Sequence, residues 1–163
     1  MSPAAGGAAT PAPPPQHDLC LYSSVVVNLL LQKSGWQAVH HALQRPNVTG
    51  ILPGPALTET IAVTRRRGNQ STGEQIHKTL TSLGVRIEHP TDDDLLRAAE
   101  LLEISRDNPG PPAPMTQEEG TLSLGDALIL AITERLGCMV LTRDHYWKWM
   151  VDHQLLDVRV AVP

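Results

Sequence analysis

Three acidic side chains in largely apolar segments are the residues best suited to chemistry in this chain. Asp126 lies near the start of an apolar helical run, residues 122–131, and Asp144 follows a short apolar strand-like run. Glu59 lies in a third, amphipathic segment. A carboxylate on a buried face is costly unless it is paired or binds a metal. These acids therefore predict a site for a hard divalent cation, Mg²⁺ or Mn²⁺.

Such a cation would orient a water molecule, help to deprotonate it and stabilise the charge that builds on a phosphodiester under attack. Glu59, Asp126 and Asp144 are thus both the predicted metal ligands and the predicted catalytic residues. Ser24 and Thr142 carry hydroxyl groups that would hydrogen-bond an acid or a metal-bound water. Ordinary turn and cap hydrogen bonding is the alternative for these two residues.

Each acid also has an ordinary structural interpretation. Asp126 suits the positive end of a helix dipole. Asp144 is placed to cap a helix that begins at His145. Glu59 and Arg66 lie two turns apart on one predicted helix, so an ion pair is possible there. Spacing alone leaves the metal site and these interpretations open.

Arg65, Arg66 and Arg67 form the one basic cluster in the sequence. The formal net charge of −4 gives no attraction to nucleic acid over the whole surface, so RNA binding would depend on a local basic patch or a metal. The cluster would steer a phosphate backbone toward the acids. Alternatively, the three cations offset the negative end of a solvated helix.

The composition is that of a globular domain with a core built from Leu, Val, Ile and Ala. Apolar residues make up 41% of the chain, and aromatic residues only 3%, with no Phe. Cys20 and Cys138 lie in apolar runs, which predicts two buried free thiols in a reducing compartment. No stretch is long enough to span a membrane, and the N-terminus lacks the pattern of a signal peptide. We therefore expect a cytoplasmic protein with no membrane partner.

Two segments rich in proline fall outside the predicted helices and strands. Residues 1–16 are almost entirely Ala, Gly and Pro, which predicts a disordered tail before a single domain at residues 17–163. Residues 107–120 contain four prolines and two glycines and predict a loop. This Pro-rich loop directly precedes the helix of Asp126, so we expect it to cover the site or to contact a partner.

Strands and helices alternate along the domain. The predicted strands span residues 19–22, 48–52, 85–88, 138–141 and 158–162. The predicted helices end at residues 32, 44, 67, 83, 105, 136 and 153. Ser23 or Ser24 would cap the first helix, and residues 71–74 would form a capping box for the fourth. This order predicts an α/β fold with a parallel sheet of four to five strands flanked by helices. Ligands bind beyond the carboxyl ends of such strands, where Tyr22 and Asp144 lie.

The acidic segments together resemble the motifs of PIN-domain proteins, especially the VapC-type toxins. The matching segments are residues 22–25, 56–59, 122–131, 134–137 and 140–144. The resemblance extends over about residues 18–162, and the last motifs are the most specific.

This resemblance implies a PIN-like, Rossmann-like fold and a metal-dependent endoribonuclease that is the toxin of a toxin–antitoxin pair. It also implies an RNA substrate, a homodimer, and a small antitoxin that inserts near the active site. By motif, Glu59, Asp126 and Asp144 become metal-site acids, with Ser24 and Thr142 as supporting hydroxyls.

Tyr22 departs from the family pattern, which has Asp at this position. A phenol has a reference pKa of about 10 and is bulkier than a carboxylate, so we expect weaker metal binding. Asp18 lies four residues earlier, roughly 13 Å along an extended strand, and cannot replace the missing acid. Natural loss of catalysis, a substitution made to detoxify the protein, and a site that works with three acids all remain open. The alternative function is an inactive PIN-fold module that binds RNA or an antitoxin-like protein.

Overall fold

The fold is given by a computed structural model that describes residues 16–112 and 118–161. The predicted tail, residues 1–16, lies outside the described residues except for Gln16. Residues 113–117 of the Pro-rich loop and the last two residues of the chain also lie outside them.

Five parallel strands form one sheet, as predicted. The strands are β1 His17–Leu21, β2 Val48–Pro53, β3 Val85–Glu88, β4 Met139–Leu141 and β5 Arg159–Ala161. Their order across the sheet is β3-β2-β1-β4-β5, and every neighbouring pair is parallel. Consecutive parallel strands need a crossover, so helices lie between them in the chain.

Helices occupy the positions between the strands, which confirms the predicted α/β class. They are α1 Ser23–Leu30, α2 Trp36–Leu43, α3 Gly54–Arg66, α4 Gly73–Ser82, α5 Asp92–Asp107, α6 Leu124–Leu136 and α7 His145–Asp152. Within the described residues, none of the helices combines the length and hydrophobicity that crossing a lipid bilayer requires.

The strand order reverses at β1, which lies between β2 and β4. In an open parallel sheet this reversal leaves a crevice beyond the carboxyl ends of the two central strands. Tyr22 directly follows β1, and its backbone N–H donates to the carbonyl of Leu141 at the end of β4, over 3.0 Å. The segment after β4 carries Thr142 and Asp144 to the same edge. The topology therefore brings the ends of the first and fourth predicted strands together.

The core is aliphatic, with Trp147 as its largest fully buried side chain. Cys20 and Cys138 are buried and free, as the sequence predicts. The sulfur of Cys20 lies 3.1 Å from the Thr133 hydroxyl oxygen. Trp36 and Trp149 are only half-buried and pack against the edge of the core.

Two predicted helix starts are wrong. α1 begins at Ser23 with Tyr22 as its N-cap, because the Ser23 hydroxyl donates to Glu59 and does not cap the helix. The capping box of α4 lies one residue later than predicted. The hydroxyl of Thr72 accepts from the N–H of Gln75, and the Gln75 side chain accepts from the N–H of Thr72.

An ion pair between buried Asp94 and partly exposed Arg135 connects α5 to α6, the helix that carries Asp126. Asp94 is only 2% exposed and forms the capping box of α5 with Thr91. The Arg135 guanidinium donates from Nε to both Asp94 oxygens, at 3.0 and 2.9 Å. Burial by itself would raise the pKa of Asp94, but hydrogen bonds from Arg135 and Thr91 outweigh it and hold the pKa below its usual value.

We predict that Asp94→Asn lowers the free energy of unfolding at pH 7 by about 2 kcal/mol, because it leaves Arg135 without its buried partner. A depressed folded pKa stabilises the protein above the unfolded pKa of about 3.9, and this stabilisation is lost as pH falls through the folded value. The difference between the two chains should therefore shrink in urea titrations below about pH 4. Asp93→Asn, an exposed acid in the same turn, is the control and should stay within about 0.5 kcal/mol. Equal stability of Asp94→Asn and the unaltered chain at pH 7 would contradict this role.

Candidate functional site

Tyr22 lies at the centre of the three predicted acids. Its hydroxyl donates to Oδ1 of Asp126 over 2.7 Å, and its ring packs on Trp147 with the ring centroids 4.7 Å apart. Burial raises the pKa of Tyr22 far above its usual value, and the charge of Asp126 raises it further. Glu59 and Asp144 add smaller contributions of the same sign. All three acids therefore act on one phenol, which stays protonated.

Both oxygens of the Asp126 carboxylate already accept hydrogen bonds from the protein. Asp126 is buried in the first turn of α6, where Ser123 caps the helix. Its Oδ2 accepts from the backbone N–H of Ser123 at 2.9 Å and from the Ser123 hydroxyl at 2.7 Å. Its Oδ1 accepts from Tyr22. The helix-start interpretation of Asp126 is thus correct, and its orientation is fixed from both sides.

Asp144 caps α7, which confirms its structural interpretation. Its Oδ1 accepts from the N–H of Tyr146 at 2.8 Å. Its own N–H donates to the hydroxyl of buried Thr142 at 3.0 Å, so Thr142 serves the turn. Burial and the nearby charge of Asp126 raise the pKa of Asp144, against the opposing effect of the Tyr146 N–H.

Glu59 is exposed, and the partial burial expected for it is wrong. The buried face of α3 consists of Ala56, Thr60 and Thr64, so Glu59 lies on the flank of the helix that adjoins α1. Its Oε2 accepts from the Ser23 hydroxyl at 2.7 Å. Glu59 therefore borders the site from the solvent side.

The donor set does not fit a divalent cation while Tyr22 is present. In residues 16–112 and 118–161, no group of three or more His, Cys, Asp or Glu side chains is placed to hold a metal ion. The Tyr22 hydroxyl is a neutral donor toward Asp126, where a cation would need an acceptor. The acids of the predicted Mg²⁺ or Mn²⁺ site thus surround the phenol without forming a cation site.

A polar cavity of about 450 Å³ adjoins the acids. Its lining includes Ser23, Ser24, Asn28, Glu59, Arg67 and Arg143. Of the predicted RNA-binding residues Arg65, Arg66 and Arg67, only the last is in this lining; all three are exposed. In the described part of the chain none of the three forms an ion pair, and the alternative pairing of Glu59 with Arg66 is absent.

A second cavity, which is apolar and has a volume of about 680 Å³, also has Tyr22 in its lining. Its lining includes Tyr22, Pro111, Pro112, Asp144, Tyr146 and Trp149. Ser24 and Arg143 line both cavities. Neither this cavity nor the place of Arg143 in its lining was predicted from the sequence. Arg143 follows a central strand and stands between Thr142 and Asp144 in the sequence. This position could have indicated that it lies at the site.

The two described ends of the Pro-rich loop are fixed on Tyr146. The N–H of Gly110 donates to the carbonyl of Gly120 at 2.8 Å, which closes the loop at its base. A Cβ atom added at either glycine would lie 2.5 or 2.7 Å from the Tyr146 ring. The Tyr146 hydroxyl in turn bonds to Ser105 and to the carbonyl of Asn108. The loop ends therefore border the apolar cavity. That the loop covers the site remains a prediction.

The profile of the PIN domain matches residues 19–150, most of the chain. The chain therefore belongs to the PIN-domain family. No curated protein sequence matches it.

Solved structures with the same fold include several toxins and toxin–antitoxin complexes. VapC20 of Mycobacterium tuberculosis, a toxin that cleaves the sarcin-ricin loop, is 19% identical with a TM-score of 0.58, over 86% of this chain and 98% of that one. VapBC2 of Rickettsia felis, bound to promoter DNA, is 13% identical with a TM-score of 0.61, over 89% and 98%. VapBC-1 of nontypeable Haemophilus influenzae is 14% identical with a TM-score of 0.60, over 89% and 97%. At these identities the likeness shows the shared fold.

We predict that neither tyrosine of the folded chain ionises near pH 10, because burial and nearby acids raise the pKa of both Tyr22 and Tyr146. Tyrosinate absorbance should stay low until the chain unfolds, whereas the chain in guanidinium should titrate near the ordinary value of about 10. The unfolded chain releases these protons first, so stability should fall as pH rises above about 10. A midpoint near 10 for Tyr22 in the folded chain would contradict its contact with Asp126.

We predict that Gly110→Ala lowers the free energy of unfolding by about 1–3 kcal/mol, because the new methyl group meets the fixed ring of Tyr146. Gly125→Ala is the matched control. Its Cβ would meet nothing closer than the Ser123 hydroxyl oxygen at 3.6 Å, and alanine favours a helix. Urea unfolding should show a loss for the first variant and none for the second. An equally stable Gly110→Ala chain would show that the loop base is loosely packed.

Proposed function

We propose that this chain is a PIN-domain endoribonuclease of the VapC type, the toxin of a toxin–antitoxin pair, whose activity is impaired by Tyr22. The observation that carries the proposal is the 2.7 Å hydrogen bond from the Tyr22 hydroxyl to Asp126. Glu59 and Asp144 raise the pKa of the same phenol, so the three family acids surround position 22. A carboxylate at that position would complete a four-acid site.

The chain's own residues support this assignment of roles. The Ser123 cap holds Asp126, and the Tyr146 N–H holds Asp144. With a carboxylate in place of Tyr22, one oxygen of Asp126 loses its donor and becomes an available acceptor. We propose Mg²⁺ or Mn²⁺ as the cofactor of that four-acid form, and hydrolysis of RNA phosphodiesters as the reaction.

The arginines beside the acids support an RNA substrate. Arg67 and Arg143 line the polar cavity together with Glu59, and Arg65 and Arg66 lie in the last turn of α3. Because the whole chain has a net charge of −4, binding of a phosphate backbone would depend on this local basic patch. Ser24 belongs to the proposed site as a hydroxyl donor, since its buried Oγ has no partner among the described residues.

A small antitoxin and a second copy of the chain are the proposed protein partners. The structural neighbours include VapBC assemblies and a toxin–antitoxin complex from Klebsiella pneumoniae. Leu96 and Leu124 are 68% and 63% exposed, which offers apolar contacts for such partners. The two free buried thiols are consistent with the proposed cytoplasmic location.

We predict that Tyr22→Asp raises the rate of Mn²⁺-dependent RNA cleavage by about 100-fold or more, since loss of residues that merely support a metal site already costs about 10–100-fold. Tyr22→Asn is the matched control: it has the same size as the new residue, removes the phenol and adds no charge. Asp126→Asn in the Tyr22→Asp background should abolish the gain. Cleavage of a broad RNA panel, with and without a chelator, measures these effects.

Two results would contradict the proposal in different ways. If Tyr22→Asp cleaves no RNA in the panel with either metal, the nuclease assignment is wrong. If the unaltered chain cleaves as fast as Tyr22→Asp, three acids suffice and Tyr22 does not impair the site.

A second candidate function is an inactive PIN-fold module that binds RNA or an antitoxin-like protein. This alternative is favoured by the carboxylate of Asp126, because both of its oxygens accept hydrogen bonds from the protein and one of the donors is a protonated phenol. It predicts salt-sensitive RNA binding or a stable protein complex, in either case without a metal requirement and with no gain of cleavage in Tyr22→Asp.

A further inference from the structure

The apolar cavity beside the acids has the size and walls of a ligand site. Its volume of about 680 Å³ lies within the range of about 300–1,000 Å³ that is usual for small-molecule sites. The rings of Tyr146 and Trp149 lie nearly parallel, 18° apart with centroids separated by 5.7 Å. Tyr146 is buried, whereas Trp149 is half-buried and contributes an accessible indole to the lining. Aromatic walls of this kind suit a flat, apolar group.

The position of Trp149 is fixed by its neighbours. Its ring stacks on His153 with centroids 4.1 Å apart, one turn further along α7. Tyr146 is held by hydrogen bonds to Ser105 and Asn108. A preorganised indole loses little conformational entropy when a ligand stacks on it.

Positive charge lies at the border between this cavity and the polar cavity. Arg143 lines both cavities, and Arg67 lines the polar one. Neither arginine forms an ion pair within residues 16–112 and 118–161. Ser24 also lines both cavities, and its hydroxyl oxygen is buried without a partner in the same part of the chain. These groups together would donate hydrogen bonds to a phosphate.

We propose that the apolar cavity binds one unpaired base of an RNA strand, while the adjoining phosphate lies against Arg143, Ser24 and Arg67. This inference rests on the proposed function and adds to it a subsite for one base, formed by the aromatic residues of this cavity. Asp144 and Tyr22 line the same cavity, so a base bound there lies next to the acids. An apolar side chain of a protein would also fit the aromatic walls, but it would leave the two arginines and the Ser24 hydroxyl unpaired.

The test is the affinity for a labelled single-stranded RNA of about ten nucleotides, measured by fluorescence anisotropy in a chelator. Both the unaltered chain and Tyr22→Asp are measured, so binding is separated from cleavage. Stacking on one aromatic side chain predicts that Trp149→Ala weakens binding about tenfold. Trp36→Ala is the matched control, because Trp36 is also half-buried but lies on α2 and is not in this lining. It should leave the affinity unchanged.

Two further measurements do not depend on the stability of Trp149→Ala. Arg143→Gln should reduce the salt dependence of RNA binding by about one charge. In a Trp36→Phe chain, single-stranded RNA should quench tryptophan fluorescence, and an abasic strand or a duplex of the same sequence should quench it less.

The outcomes separate this inference from the proposed function. If Tyr22→Asp cleaves RNA but Trp149→Ala binds as tightly as its parent, the base site is wrong and the nuclease assignment stands. If neither chain binds RNA and Tyr22→Asp cleaves none, both are wrong. If an apolar peptide changes the tryptophan fluorescence and RNA does not, the cavity belongs to a protein partner and the base site is again wrong.

Discussion

The hydrogen bond from the Tyr22 hydroxyl to Asp126 joins the end of the central strand to the first turn of α6. It lies at the reversal point of a parallel sheet, where the chain reaches the crevice from both directions. A buried carboxylate requires donors or a cation, and here Tyr22 and Ser123 supply the donors. Burial and the charge of Asp126 raise the pKa of the phenol and keep it protonated, and the hydrogen bond takes the oxygen that a cation would need. In the described part of the chain, the PIN-domain fold thus brings the acids together, and Tyr22 occupies the position where they meet.

The surrounding structure holds this arrangement in place through its own hydrogen bonds. Asp126 belongs to a capping box, and α6 is held to α5 by the pair of Arg135 and Asp94. Tyr146 fixes the base of the Pro-rich loop while its backbone N–H holds Asp144. Two acids of the site are therefore oriented by hydrogen bonds of the fold itself. A change at position 22 should alter the charge and the free acceptors of the site and leave its framework intact.

The strands and the acids were predictable from the sequence because local patterns determine them. Apolar runs between helical segments indicate a parallel sheet, and its strand ends must meet at one edge, which brings Tyr22 and Asp144 together. The exposure of Glu59 was not predictable from hydrophobicity. The polar residues Thr60 and Thr64 occupy the buried face of α3, whereas the apolar residues Leu57 and Ile61 are only half-buried. The apolar cavity was not predictable either. It forms only when the loop, α7 and Tyr22 pack together, and such long-range packing leaves no periodic signal in the sequence.

The central claim is that the phenol of Tyr22, and not a missing fold, prevents cation binding. Calorimetric titration of Mn²⁺ into the unaltered chain and into Tyr22→Asp tests this claim most directly, with Asp126→Asn in the second background as the control. We expect Tyr22→Asp to bind Mn²⁺ at least about tenfold more tightly than the unaltered chain, and the control to lose that gain. Equally tight binding by the unaltered chain, or no binding by Tyr22→Asp, would contradict the account.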